Sequence, residues 1–354
     1  MNKVIINRKN LDKDRYRETE LLSHKCSISV AVGERRVGKT FDVSLCAILE
    51  ALETEEVTFS FWRLTKKEIQ LAKEKFFDDF RQFDVFPQYS FKIVGNFGYA
   101  TYEETGYSFP ICYFGTLKDA QSVKGCPFPS IRRIIVDEWI EEDGTQKVKA
   151  KLTLLWSLIY TTFVLKPIRV IILANAVTIE DPLFKQYGIT NIDRPFTKVK
   201  GKIVIENTDK EKRYAKFKKR AKESAFGQLV KGSTYESYAL DNKFYMDDTS
   251  NVRPKYKQQG TILCTISLEN HLLCVSEEKD ASIFIKEVKT PQGFAITPFT
   301  SEASSDIIYV RSSDSFYKKL FKLVLARPFA FSNLTIKNSF MSLLEKSMGN
   351  AKFN

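Results

Sequence analysis

The stretch AVGERRVGKTFDV, residues 31–43, restricts the possible folds more than any other part of the chain. Gly33, four residues, then Gly38, Lys39 and Thr40 is the spacing of a phosphate-binding loop. Such a loop aims successive backbone N–H groups, and the positive end of the helix that follows, at a polyphosphate. At average residue usage the pattern arises by chance in about one chain in a hundred of this length. The context fits as well. CSISVAVG (26–33) is a short apolar run ending in glycine and reads as a buried strand. KTFDVSLCAILEALE has apolar residues at helical spacing. Strand, glycine loop and helix predict a nucleoside triphosphate site, with Lys39 on the β- and γ-phosphates and the Thr40 hydroxyl on Mg²⁺.

A hydrolytic site of this kind needs an acid at the end of a neighbouring strand. IIVDEW supplies two: Asp137 for the Mg²⁺ shell and Glu138 as general base toward water. An acid pair points to hydrolysis rather than to transfer onto a small acceptor. No NKxD or TKxD stretch occurs and no DxxG follows the acidic strand, so ATP is the expected nucleotide. IILANA (171–176) ends in Asn175, a carboxamide able to bond the γ-phosphate or the lytic water. Arg63 and Lys66, in FWRLTKK, also follow a strand, at the ligand-binding edge of an open parallel sheet.

Strands and helices alternate through the first half: VTFSFWR (57–63) as strand, 65–83 as one amphipathic helix capped by Thr65, 89–116 as an antiparallel insert, IRRIIVDEW as strand, 149–163 as helix and IRVIILANA as strand. The expected architecture is α/β, a mostly parallel sheet with helices on both faces. Four short strand candidates after residue 260 and two closing helices (313–327, 332–347) read as a separate α+β domain. The expected boundaries are 1–197 for the ATPase domain, 198–240 for a basic junction and 241–354 for the C-terminal domain.

The 354 residues are 43% hydrophobic, enough for two ordinary cores. No apolar run reaches the roughly 18 residues of a membrane span, and the N-terminus lacks a signal-peptide core; a soluble, intracellular protein is expected. Six scattered cysteines without a CxxC pair, and two histidines, argue against a zinc site or disulfide framework. Net charge is +12, and its location matters more than its size. Residues 198–222 alone hold 11 basic and 3 acidic side chains. Lys216, Lys218, Lys219 and Arg220 are the densest part of that segment, which suggests a polyanionic partner.

Taken together, GERRVGKT, FWRLTK, QSVKGCPFPSIRRIIVDEWI and ILANAVT stand in the order and spacing of the DNA-packaging ATPases (encapsidation proteins) of small phi-29-like tailed phages. FGQLVKGSTYESYALDNKF (226–244) resembles the junction segment of the same proteins. The resemblance implies an additional-strand, conserved-glutamate P-loop NTPase acting as a homopentameric ring at the portal vertex of a prohead in the host cytoplasm. Such a ring drives double-stranded DNA inward with ATP and Mg²⁺, and its partners include the portal and a packaging RNA. Gly33, Arg35, Gly38, Lys39 and Thr40 match the family's loop, Asp137 and Glu138 its metal and catalytic acids, and Asn175 its coupling asparagine. Lys66 and Lys124 match basic residues that reach across a subunit interface.

Two departures stand out. Arg36 occupies a position that is glycine in one relative of the family, and the family's arginine finger after the helix is replaced by Val164, Leu165 and Lys166. The trans-acting role then falls to Lys124, Lys166 or Arg169, lysine being a point charge without arginine's fork. The C-terminal domain resembles a ribonuclease-H-like nuclease, yet its first strand offers Thr265 and Ser267 where acids would hold metals; Asp306 and Asp314 make no matched set, so it reads as a degenerate nuclease used for docking. Two alternatives remain open at this point: a helicase or other DNA-remodelling ATPase, and a non-catalytic nucleotide-gated scaffold.

Overall fold

The computed structural model describes residues 4–9, 11, 16–33, 37–123, 130–141, 148, 150–163, 166–175, 178–179, 181–189, 192, 194–232, 251–254, 256–268 and 271–348. The chain forms two compact units, Met1–Met246 and Asp247–Asn354.

The first unit is built on β1 (Ile28–Val32), β2 (Phe59–Arg63), β3 (Tyr89–Val94), β4 (Phe97–Tyr102), β5 (Ser108–Thr116), β6 (Arg133–Val136), β7 (Val170–Ala174), β8 (Phe196–Val199) and β9 (Ile203–Asn207). They form one sheet in the order β3-β4-β5-β2-β6-β7-β1-β9-β8. The six strands from β5 to β9 in that order run parallel, and antiparallel hairpins flank them at both edges. Every residue of β1, β6, β7 and β9 is buried, as parallel strands covered on both faces require. β7 lies between the strand feeding the phosphate loop and the strand ending in the acids. This is the additional strand implied by the resemblance.

The helices of this unit are α1 (Thr19–Ser23), α2 (Lys39–Thr54), α3 (Lys66–Lys75), α4 (Asp78–Gln82), α5 (Lys151–Phe163), α6 (Pro182–Gln186), α7 (Ala215–Glu223) and α8 (Ala225–Val230). Thr65 caps α3 in a reciprocal box. Glu68 N donates to Thr65 Oγ1 at 3.4 Å, and Thr65 N donates to Glu68 Oε2 at 2.8 Å. The single helix expected over 65–83 is in fact two. Phe76 packs edge-on against Phe61 and Phe114 of the sheet, while its neighbour Phe77 stacks on Phe91 of the β3–β4 hairpin. The chain turns at these two residues, each ring reaching its own partners. Phe77 is fully buried and Phe76 partly so; a fully buried ring is worth about 1.5–3 kcal/mol, which outweighs one or two helical hydrogen bonds.

The segment from residue 198 also differs from its expectation as a junction. β8 and β9 belong to the sheet, with β9 paired in parallel register to β1. Only at Lys212 does the chain leave β9's loop for a 3-10 turn and the basic helix α7, none of whose residues is buried. Residues 233–250, including much of the junction motif, lie outside the described residues.

The second unit carries β10 (Thr261–Leu268), β11 (His271–Glu277), β12 (Ile283–Val288), β13 (Ala295–Thr297), β14 (Ile308–Tyr309) and β15 (Phe329–Phe331), with α9 (Ser315–Leu325) and α10 (Leu334–Met348). Its sheet order is β14-β13-β10-β11-β12-β15. β10, β11 and β12 form an antiparallel meander; β13 and β14 add in parallel on β10's free side. Leu273, Ile285, Phe321, Phe331 and Phe340 centre its core. Cys112, Cys264 and Cys274 are buried as small core residues, while Cys26 and Cys46 are only partly buried. Among the described residues no helix is long and apolar enough to cross a membrane.

Candidate functional site

The parallel strands end on one edge of the sheet, and the predicted residues gather there. Gly38, Lys39, Thr40, Asp137, Glu138 and Asn175 line a cavity of about 550 Å³ together with Phe41, Asp79, Leu173 and Ala174. Gly38 has φ of +98°, a left-handed conformation that glycine adopts without strain, and it leads straight into α2. Gly33 N donates to Ala174 O at 3.2 Å, tying the loop to the end of β7. The buried Lys39 side chain donates from Nζ to Gly33 O at 2.8 Å.

On the facing side, Asp137 N donates to Trp62 O at 2.9 Å, so the β2–β6 ladder extends into the site and fixes the carboxylate. Thr40 Oγ1 lies 3.2 and 3.3 Å from the two Asp137 oxygens. A hydroxyl and a carboxylate converging in this way are hard oxygen donors of the kind Mg²⁺ takes. Glu138 follows with φ of +54°, left-handed although it is not glycine. Non-glycine residues there are strained and concentrate at functional sites. Glu138 N donates to Asp137 Oδ1 at 3.1 Å.

Arg63, at the end of β2, bridges both acids. Nη2 donates to Asp137 Oδ2 at 2.7 Å, and Nη1 pairs with Glu138 Oε2. Arg63 also lines a second cavity of about 440 Å³, which shares Thr40, Phe41, Asp79 and Glu138 with the first and continues over Phe61, Phe76 and Phe80.

The other predicted residues lie elsewhere or outside the described set. Arg35 and Lys124 are not among the described residues. Lys66 is exposed at the first position of α3 and lines neither cavity. Lys166 and Arg169 precede β7, at the end of that strand opposite Asn175. Arg169 pairs with Glu50 at 3.6 Å. Five strand residues span about 17 Å, too far for either side chain to reach the cavity of its own chain. Lys216, Lys219 and Arg220 are exposed on α7, and Lys218 is held by Asp209.

Three features of the site region have no counterpart in the sequence reading. Asp79 lines both cavities, but as an acid on an amphipathic helix it gives no local signal. Asp42, in the first turn of α2, accepts from Arg17 Nη1 at 2.9 Å and from Glu18 N at 2.8 Å, and Tyr16 N donates to Val37 O at 2.9 Å. The segment before α1 is thereby pinned to the end of the phosphate loop. Third, Glu206 on β9 is fully buried and accepts from Tyr16 Oη at 2.8 Å and Arg213 Nη2 at 2.7 Å. Burial pushes its carboxyl up to about 7, against the lowering pull of Tyr16 and Arg213.

The family model of the podovirus DNA encapsidation protein (Gp16) matches residues 11–348. The chain is 28% identical over 249 residues to the DNA packaging protein of Bacillus phage B103, covering 70% of this chain and 73% of that one. It is 25% identical over 255 residues to the DNA packaging protein of Bacillus phage phi29, covering 71% and 72%. Among solved structures, a chain of the bacteriophage Phi-29 viral genome packaging motor assembly superposes with a TM-score of 0.69 at 21% identity, covering 94% of this chain and 99% of that one. At that identity the likeness concerns the fold.

Proposed function

Because the chain belongs to the podovirus DNA encapsidation protein family, we propose that it is the ATP-hydrolysing subunit of a motor that moves double-stranded DNA into a phage prohead. The observation that carries this reading is the cavity at the sheet edge. It brings Lys39, Thr40, Asp137, Glu138 and Asn175 together from three separate loops.

The phosphates of ATP lie over the loop 33–38 and the first turn of α2, where backbone amides and Lys39 meet their charge. Lys39 exchanges its bond to Gly33 O for the phosphates. Thr40 and Asp137 would hold Mg²⁺, which supplies charge neutralisation on the phosphate oxygens. Glu138 takes a proton from the attacking water. In the structure Arg63 holds Glu138 through one carboxylate oxygen, Oε2. Arg63 gives up that contact when Glu138 turns to the water. Asn175, at the end of β7, reports the γ-phosphate to the loop that follows.

Lys166 sits at the far end of β7 from its own cavity, which suits a charge delivered to a neighbouring subunit's nucleotide in a ring. Lys124 is the other candidate for that role. The pentameric ring, the portal and the packaging RNA are part of the proposal. So is duplex DNA in a basic pore, gripped without sequence preference. In the second unit, a three-strand meander followed by two parallel strands supports the ribonuclease-H-like reading, with docking as its role.

The test is ATP turnover by the purified chain, alone and with duplex DNA, across protein concentration, beside Lys124→Ala and Lys166→Ala. Specific turnover should rise with concentration and with DNA, and fall in one lysine variant while ATP binding persists. Turnover independent of concentration would remove the ring mechanism. Duplex unwinding without proheads would favour a helicase instead.

A further inference from the structure

We propose that Trp139, Asp181 and Lys151 form a buried clamp that sets the geometry of Glu138, and so act as positioning residues for water activation. The inference rests on the reading of Glu138 as the base. Its starting point is the left-handed backbone of Glu138, a conformation that costs a non-glycine residue free energy and that here lies beside a residue held from three sides.

Trp139, the next residue, is fully buried and is fixed at three points. Its backbone N donates to Leu173 O at 3.0 Å. Its carbonyl accepts from Lys151 Nζ at 3.1 Å. Its indole Nε1 donates to Asp181 Oδ1 at 2.7 Å. The Lys151 ammonium also lies 4.8 Å from the centre of the Trp139 ring, and pairs with Asp181 Oδ2 at 2.7 Å and Glu141 Oε2 at 2.6 Å. Asp181 Oδ1 additionally accepts from Leu183 N at 2.9 Å, capping α6. Both Lys151 and Asp181 are buried, so Asp181 depends on Lys151 for compensation, while Lys151 is compensated by Asp181 and Glu141 together.

The clamp joins three segments: the loop after β6, the first turn of α5, and the chain leading from β7 into α6. The first of these carries Glu138 and the third begins at Asn175, and both residues line the cavity. A buried ion pair serving stability alone could sit anywhere in the core. This one grips the residue adjoining the strained base and links the two loops that face the γ-phosphate.

Trp139→Phe keeps a ring in place and removes the indole N–H. The expected result is a kcat lowered by roughly a hundredfold, the cost of a misplacement of about 1 Å, with the KM for ATP and the melting temperature near wild type. Lys151→Arg should retain most of the turnover. The discriminating readout is the same substitution in a Glu138→Gln background, in single-turnover assays. A clamp that acts through Glu138 has nothing left to position there, so Trp139→Phe should cost nothing further. An equal cost in both backgrounds would overturn the proposal and leave a structural role. If Trp139→Phe melts below the assay temperature, Asp181→Asn decides by the same two readouts, since it keeps Oδ1 for the indole and the cap but loses the charge facing Lys151. Turnover lost in Glu138→Gln but unchanged in Trp139→Phe overturns the clamp alone. Turnover retained in Glu138→Gln overturns the base reading and the clamp with it.

Discussion

Arg63 holds Asp137 by one guanidinium nitrogen at 2.7 Å and Glu138 by the other, so a single side chain from β2 restrains both acids of the cavity. The two carboxylates are adjacent in the chain and repel each other, and the fork of the guanidinium relieves that repulsion. An arginine that both orders the site and engages its proposed base suits a motor that fires only when its track is in place. Arg63→Gln, which keeps a donor but loses the charge, should therefore weaken the dependence of ATP turnover on DNA. The ratio of DNA-stimulated to basal turnover is expected to fall toward one. A ratio equal to that of wild type would show that Arg63 is only a structural partner of Asp137.

Glu138→Gln replaces the proposed base by a neutral group of the same shape. ATP binding should be unchanged, because Lys39, the loop amides, Thr40 and Asp137 remain. Turnover should drop by about 10²–10⁴, the usual contribution of a general base. Equilibrium binding of a fluorescent ATP analogue, set beside phosphate release, separates the two quantities. Turnover near wild type would remove Glu138 from the chemistry.

The Glu206 carboxyl predicts a pH dependence of stability. Burial raises it from an ordinary 4.5 to about 7 in the folded chain. The folded state then holds this proton more tightly than the unfolded state. Its contribution is complete below about 4.5, declines as the pH rises, and is lost above about 7. Glu18 is shifted the same way, also by burial, and adds to the slope. Glu206→Gln, neutral at every pH, should flatten the fall in melting temperature between pH 5 and pH 8. An unchanged slope would mean that Glu206 stays ionised, held by Arg213 and the Tyr16 hydroxyl.

Much of this site is legible in the sequence because its parts are local. The phosphate loop is a spacing within eight residues, and the acids and Asn175 each end a continuous apolar run, the mark of a strand buried on both faces. What the sequence hides is made by long-range partners. Arg63 meets Asp137 across 74 residues and Trp139 meets Asp181 across 42, and nothing near either one names the other. β9 is hidden for a different reason. IVIEN is short, carries an acid that is buried only because Tyr16 and Arg213 partner it, and sits among lysines that dominate the composition of the segment. The break between α3 and α4 is decided by which phenylalanine each ring meets, a tertiary choice that overrides helical periodicity.

The second unit should have no metal-dependent nuclease activity. In the middle of its sheet, Ser267 Oγ donates to Glu302 Oε2 at 2.6 Å, and Thr297 Oγ1 lies 3.4 Å from the same oxygen. Hydroxyls thus face the carboxylate where two-metal chemistry needs further acids. Asp314 is occupied in capping α9 through Phe316 N at 2.8 Å. Supercoiled plasmid incubated with the full chain and Mg²⁺ or Mn²⁺ should stay intact. Linearisation that survives Glu302→Ala would point to a contaminant, whereas linearisation abolished by it would show a working nuclease and refute the degenerate reading.

The basic helix α7 offers a prediction that also separates its two possible partners. Lys216, Lys219 and Arg220 are exposed, Lys219 beside Glu223 at 3.9 Å, whereas the half-buried Lys218 is engaged with Asp209 and is left out of the test. Removing a cation that neutralises one phosphate should reduce the slope of log affinity against log salt by about 0.9 on duplex DNA. A variant with all three residues changed to alanine should therefore show a slope shallower by about 2.7 if every one of them meets a duplex phosphate. Titrations against a duplex of random sequence and against a structured RNA, over the same salt series, locate the effect. A flattened slope on the duplex alone places α7 on the DNA track, and a flattened slope on the RNA alone places it against packaging RNA. Unchanged slopes on both would show that the charge of α7 is a solvated helix face with no polyanion partner.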